Sequence, residues 1–407
     1  MSDIPSELFG NILHRVPAES LLLWRGVCKS WRRLIDDPDF IKSHIKHQSS
    51  STSLGQLLIR NENGGRLSSL SLDSINFVRH DQTIEETKVK NLIGRGLPRL
   101  TTLPVTSCNG LILISRYEAK KIWVLWNPLT QDYHELPECD ADSHLEGWGL
   151  GYDCVDDDYK VVRINLVFLN EGLVHKTYIY SLKFNSWKWI KDCPGDFHVR
   201  SQGLYLNGAL YWLSKSFIIA LDLSTEDYRQ LPLPSLRTDP YRREDRKMNL
   251  DVLGGCLVLS CKDNYRKDRF EGWAMKDDGG KISWTKLFSL KELEDIGAMG
   301  QLRPITYSKS NRRVLIQHNN KHFFWLNTVN NSAKKIRMQG LSRNFSCQVW
   351  KSNLFRLGNI VGGAKRTGRV KKMRAKKRLK LDVTISKAGD WADLDYTSCS
   401  SEGEEDY

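Results

Sequence analysis

The chain has 407 residues, 40% of them hydrophobic and 10% aromatic, and a formal net charge of +13; that allows one large packed body with a small appendage, or two ordinary domains. No apolar run approaches the roughly 20 residues a bilayer span needs, and Met1-Ser2-Asp3-Ile4-Pro5 lacks the basic-then-apolar order of a secretory signal, so membrane and secreted classes are set aside. Nine cysteines without a single Cys-x-x-Cys pair exclude a RING-type zinc framework and a disulfide scaffold, and fit thiols buried in a reducing compartment.

The first fifty residues have helical periodicity. Leu8, Ile12 and Val16 fall at i, i+4 and i+8, with Phe9 and Leu13 beside them, giving a broad apolar stripe. Pro5 suits a first helical turn and Pro17 ends that helix. A second apolar run goes from Leu21 to Cys28, and a third from Trp31 to Ile35, with Ser30 as its expected N-cap and Asp36-Asp37-Pro38 as its stop. Another short helix is expected after Asp39. Three short helices in about 45 residues cannot bury their own faces, so the segment is either a cap on the following domain or a docking module.

Ile4-Pro5-Ser6-Glu7-Leu8, Val16-Pro17 and Val27-Cys28-Lys29-Ser30-Trp31-Arg32-Arg33-Leu34-Ile35 resemble an F-box of the plant type, with Val16 where that family commonly has Leu. The resemblance implies binding to a Skp-like adaptor, and through it to a cullin and a RING subunit. Its contact residues would be Ile4, Pro5, Leu8, Ile12, Val16, Pro17, Leu21, Leu22, Val27, Cys28, Trp31, Leu34 and Ile35. The boundaries expected are a three-helix F-box over 1–48 and a linker over 49–56.

Strand signals dominate from 57 to 357. Leu57-Leu58-Ile59, Leu111 to Ile114, Val161-Val162, Leu257-Val258-Leu259 and Val314-Leu315-Ile316 are short apolar runs bounded by turn residues; Leu287 to Ile296 is the one stretch open between short helix and irregular loop. A unit of strand, polar turn and second strand recurs near Leu72, Trp126, Tyr180, Leu221, Trp273 and Trp325, in steps of 54, 54, 41, 52 and 52 residues. Asn109-Gly110 and Asn207-Gly208 mark tight hairpins ahead of two units. Such spacing predicts an all-β propeller of six kelch-like blades; a β-sandwich with coincidental spacing is the competing reading. The stretch Cys347 to Phe355 is the expected ring-closing strand.

The body is similar to the F-box-associated domain of plant F-box proteins. Ser107-Cys108-Asn109-Gly110-Leu111, Trp126-Asn127-Pro128-Leu129-Thr130, Gly149-Leu150-Gly151-Tyr152-Asp153, Asp158 to Arg163, Gly208 to Trp212 and Pro304 to Ser308 carry the likeness. It resembles most the group that includes regulators of plant immune receptors. That implies a target protein, such as an immune receptor or regulator, held for ubiquitination and degradation by a non-catalytic subunit. The target is expected on one propeller face, built from segments such as 138–148, 235–248 and 262–272.

No Gly-x-Ser-x-Gly or His-Glu-x-x-His occurs. His318 and His322 flank a hairpin turn rather than share a helix face, and Asp156-Asp157-Asp158 lacks the later ligands of a calcium loop. No cofactor or metal is expected. Residues 358–407 read as a disordered tail, basic from Lys365 to Lys380 and then acidic. Its run Lys371, Lys372, Arg374, Lys376, Lys377, Arg378 and Lys380 is the nuclear-import candidate, giving an expected nuclear and cytoplasmic distribution. No nucleic-acid partner is expected. A propeller enzyme or lectin, and a nucleic-acid binder acting through the tail, are the alternatives; neither accounts for the first 45 residues.

Overall fold

The computed structural model describes residues 6–49, 54–61, 67–76, 90–91, 104–117, 121–139, 144–169, 172–194, 201–235, 246–263, 269–291, 301–330, 332–336, 338 and 344–359. Four helices come first: α1 Ser6–His14, α2 Ala18–Trp24, α3 Lys29–Ile35 and α4 Pro38–Ser49. The fourth, the short helix expected after the three of the F-box, begins at Pro38 and is the longest of the four, at 12 residues. Asp37 starts it by accepting from the backbone N–H groups of Asp39 and Phe40, each at 3.0 Å. The start of α3 also differs. Cys28, not Ser30, is its N-cap, and its Sγ accepts from the Trp31 N–H at 3.5 Å.

Six sheets follow, as the spacing predicts, antiparallel throughout except that Ser201–Gln202 pairs in parallel with His144–Asp153 at the edge of the third. Gln56–Asn61, Leu111–Tyr117, Asp158–Leu169, Ala209–Leu213, Cys256–Asp263 and Arg313–His318 are the second strands of blades 1 to 6. Five of them hold the apolar runs seen in the sequence. Leu57, Leu111, Val161, Leu257 and Val314 are all fully buried, because a second strand is covered on both faces by the neighbouring blades and gains nothing from polar alternation. The recurring landmarks lie on the third strands or at their ends: Trp126 in Lys121–Trp126, Tyr180 in Gly172–Ser181, Leu221 in Phe217–Asp222, Trp273 in Arg269–Asp278 and Trp325 in His322–Asn327, with Leu72 one residue past Leu67–Ser71.

The ring closes through its last strand. Phe345–Trp350 pairs antiparallel with Gln56–Asn61, Trp350 opposite Gln56, and becomes the first strand of blade 1. First strands then touch first strands around the whole ring. Two expectations change here. Residues 351–356 leave the sheet instead of extending the closing strand, and Leu287 to Lys291 belongs to the strand Lys281–Lys291. Between His318 and His322 runs the expected turn, with Asn319 at φ 50° and Asn320 at φ 55°, values that asparagine tolerates.

The family-type motifs are structural. A Cβ on Gly151 would lie 2.3 Å from Leu223 of blade 4, so the bare glycine is what lets blades 3 and 4 close. Asp153 closes the next turn by accepting from Val155 and Asp156, and pairs with the buried Lys160 at 2.7 Å.

Candidate functional site

The F-box divides its apolar residues between an inner and an outer face. Leu13, Ala18, Leu21, Ile35, Phe40 and Ile41 form its core. Ile12, Leu23 and Val27 stand outside at 51%, 78% and 65% exposure, and Pro17 and Cys28 are exposed as well. Apolar side chains left open on so small a module are what a partner would cover. Of the residues assigned to the adaptor from sequence, Ile12, Pro17, Val27 and Cys28 lie on this outer face. Val16, Leu22, Trp31 and Leu34 are half-buried, Trp31 packing on Trp24 with ring centroids 5.6 Å apart.

Leu21 and Ile35 require correction. At 0% and 1% exposure they hold the helices together and present nothing to a partner. Leu8 lies in α1; Ile4 and Pro5 lie outside the described residues, as do all seven basic tail residues from Lys371 to Lys380. Leu23, the most exposed apolar side chain among the described residues of the module, is absent from the sequence-based set. The signal was present: three consecutive leucines cannot share one helix face, so burial of Leu21 turns Leu23 outward.

The module is braced from behind by the segment that follows the ring-closing strand. Leu354, 3% exposed, sits within the F-box core, and Leu129 of blade 2 packs against it. The Ser352 hydroxyl donates to Glu19 on α2 at 2.5 Å. Asn127, fully buried, donates from Nδ2 to Asn353 Oδ1 at 2.9 Å and to the Phe355 carbonyl at 2.8 Å, while its Oδ1 accepts from Leu129. Asn353 in turn donates to the Asn109 carbonyl, and the Trp350 indole to Gly110 at 2.9 Å. Gly110 has φ +83°, and a Cβ there would collide with Asn353 at 2.5 Å. The Asn-Gly and Trp-Asn-Pro motifs thus hold a strap that holds the F-box.

Charge reinforces the same joint. Arg25 grips Asp36 through two bonds of 2.5 and 2.7 Å, with Arg32 at 3.7 Å and Arg356 of the strap at 3.8 Å. Burial opposes the Asp36 carboxylate, yet the bonds from Arg25 and the charges of Arg25, Arg356 and Arg32 prevail and lower its pKa. Lys42 on α4 pairs with Asp157 in a turn of blade 3. Asp157 joins a first strand to a second and Leu129 a third to a fourth, so both turn types belong to the F-box end. The strands flanking 140–143, 236–245 and 264–268 reach the opposite end; those three segments, the centres of the expected target loops, lie outside the described residues.

The inner strands carry one polar belt. Arg303 bonds Asp251 at 2.6 Å and the Cys347 carbonyl at 2.9 Å, tying blades 5, 6 and 1. Burial raises the Asp251 pKa against the pull of Arg303. Among the described residues no group of three or more His, Cys, Asp or Glu side chains is placed to hold a metal ion.

Comparison with known proteins follows this division. Residues 1–43 match the F-box domain, and residues 65–353 the F-box associated beta propeller domain. The F-box protein CPR1 of Arabidopsis thaliana is 30% identical over 87% of this chain and 89% of its own length, and the F-box protein At4g22390 of the same plant is 27% identical over 87% and 90%. The F-box/kelch-repeat protein At3g23880, also from Arabidopsis thaliana, is 29% identical over 72% of this chain and 81% of its own. The two longer matches span both modules, so the resemblance concerns their combination and not one of them alone.

Proposed function

The chain belongs to the family of F-box proteins whose body is an F-box associated β-propeller, and from that premise we propose that it is a substrate receptor of an SCF-type ubiquitin ligase. The observation that carries this is the outer patch of Ile12, Leu23 and Val27, left uncovered on a module whose opposite side is fixed to the propeller. A Skp-like adaptor covers that patch and brings a cullin and a RING subunit. The propeller holds a target protein at the end away from the F-box, and raises its effective concentration beside the ubiquitin carrier. The receptor does no chemistry itself; its contribution is geometry.

Affinity purification of the tagged chain under proteasome and neddylation inhibition tests this, because adaptor and target are recovered together. Recovery of a Skp-like protein and cullin with a set of ubiquitinated proteins is expected; recovery of neither adaptor nor cullin overturns the reading. We further propose that the basic run from Lys365 to Lys380 carries the chain into the nucleus, supported by ten basic residues without an acidic one. Deletion of 365–380 in a fluorescent fusion should lower the nuclear signal, and an unchanged distribution removes that role.

A further inference from the structure

Several buried or half-buried cations of this fold close on carboxylates. Lys160 pairs with Asp153, Arg303 with Asp251 and Arg25 with Asp36. Arg163, in the second strand of blade 3, closes on none among the described residues, and the same holds for Lys176 of the same sheet and for Arg313, which lies 5.4 Å from the Trp325 ring centroid. It is half-buried, its Nε is sealed from solvent without a hydrogen-bond partner, and its guanidinium lies 5.7 Å from the ring centroid of Trp187. Leaving a guanidinium partly desolvated and uncompensated is costly. Burial lowers its pKa, against weak opposing pulls from Cys139 and Tyr178.

Aromatic rings surround it. In register, Trp148 and Tyr178 stand on either side of Arg163, and Trp189 is next beyond Tyr178. This face of blade 3 meets blade 2, where Trp148 packs on Trp123 and the Trp187 indole donates to the Pro137 carbonyl at 2.9 Å. Lys176, opposite the buried Asn165 in the same sheet, adds a second cation that forms no ion pair among the described residues. Asp192, opposite Lys176, is exposed and bonds neither cation.

The guanidinium lies beside the Trp187 indole, and the edge of its two terminal nitrogens makes no hydrogen bond or ion pair among the described residues. That edge fits a planar or tetrahedral oxyanion through two parallel bonds. We propose that the seam where blades 2 and 3 meet is an oxyanion-binding site, in which Arg163, beside Trp187 and neighboured by Lys176, takes a carboxylate or phosphate carried by a partner protein. The site goes beyond the receptor reading, since it binds its anion whether or not the chain serves a ligase.

The test uses the full chain labelled at arginine, with the Arg163 side-chain resonance identified by its loss in Arg163→Gln. O-phosphoserine and N-acetylglutamate are titrated separately. A saturable shift of the Arg163 signal is expected, absent for the other arginines, and weakened when Lys176→Gln removes the second charge. Binding about tenfold tighter for phosphoserine identifies a phosphorylated partner; comparable binding of both identifies acidic side chains. No saturable shift with either anion overturns the site, and so does an equal shift of the other arginine signals.

Discussion

The F-box and the propeller solve the problem of burial in opposite ways. The propeller supplies its own closure: first strands meet around the ring, and Phe345–Trp350 joins the end of the chain to its beginning. The F-box does not. Its few short helices complete their core with Leu354 and Leu129 from outside, as the small area available to so short a segment requires. One stretch serves both, since residues 345–350 close the ring and residues 351–356 then brace the F-box. A module that borrows its core is fixed in direction as well as in place, which a receptor spacing two partners needs.

Removing everything from residue 345 onward should have the largest effect. Blade 1 loses its first strand, including the buried Phe345, Cys347 and Trp350, and the ring opens. A loss exceeding about 5 kcal/mol, comparable with the whole stability of a domain, is expected as a missing cooperative transition in calorimetry. Leu354→Ala should separate the two modules instead. It empties part of the F-box core at a cost of about 2–5 kcal/mol, so the helical signal melts early while the β signal keeps its midpoint; joint melting of both would show that the modules are not distinct. Asn127→Ala leaves buried carbonyls of the strap without a donor and should cost about 1–3 kcal/mol, read as faster proteolysis between the ring and the strap.

Acid should weaken the F-box through its histidines. His44 is fully buried, bonded by Nε2 to the Val16 carbonyl at 2.8 Å, and stacked with Phe40 and His14. Burial lowers its pKa below 6.5; the nearby His14 and His47 add to this, and the Val16 carbonyl and Glu19 oppose it. His14 is lowered as well, by burial and then by His47. The folded module therefore favours neutral rings. Their contribution to stability is present above 6.5, the ordinary value that applies to the unfolded chain, and is lost as the pH falls through the folded values. Helical signal should decline below pH 6.5, and His44→Gln should flatten that decline. A decline that His44→Gln leaves unchanged contradicts this assignment.

Much of this architecture is legible in the sequence because the ring repeats one physical situation. Every second strand is buried on both faces, so Leu111 to Ile114 and Leu257 to Leu259 appear as unbroken apolar runs, and third strands end at a turn, so Trp126 and Tyr180 recur at blade spacing. The F-box outer face is half legible. Periodicity finds apolar positions but does not tell the buried Leu21 and Ile35 from the exposed Leu23 and Val27. The strap is not legible at all: residues 351–356 have neither period, and their role comes from contacts with Asn109, Asn127 and Glu19, more than two hundred residues away in sequence.

The account depends on the outer patch docking an adaptor while the inner core only supports it. Calorimetric titration of a Skp-like adaptor into the full chain, and into Leu23→Asp with Val27→Asp, tests this directly. Both side chains project into solvent, so the double variant should melt within about 0.5 kcal/mol of the unmodified protein. Its adaptor affinity should fall by about a hundredfold or more, as central apolar contacts do when charged and buried. A folded double variant that binds the adaptor as tightly as the unmodified chain would contradict the account.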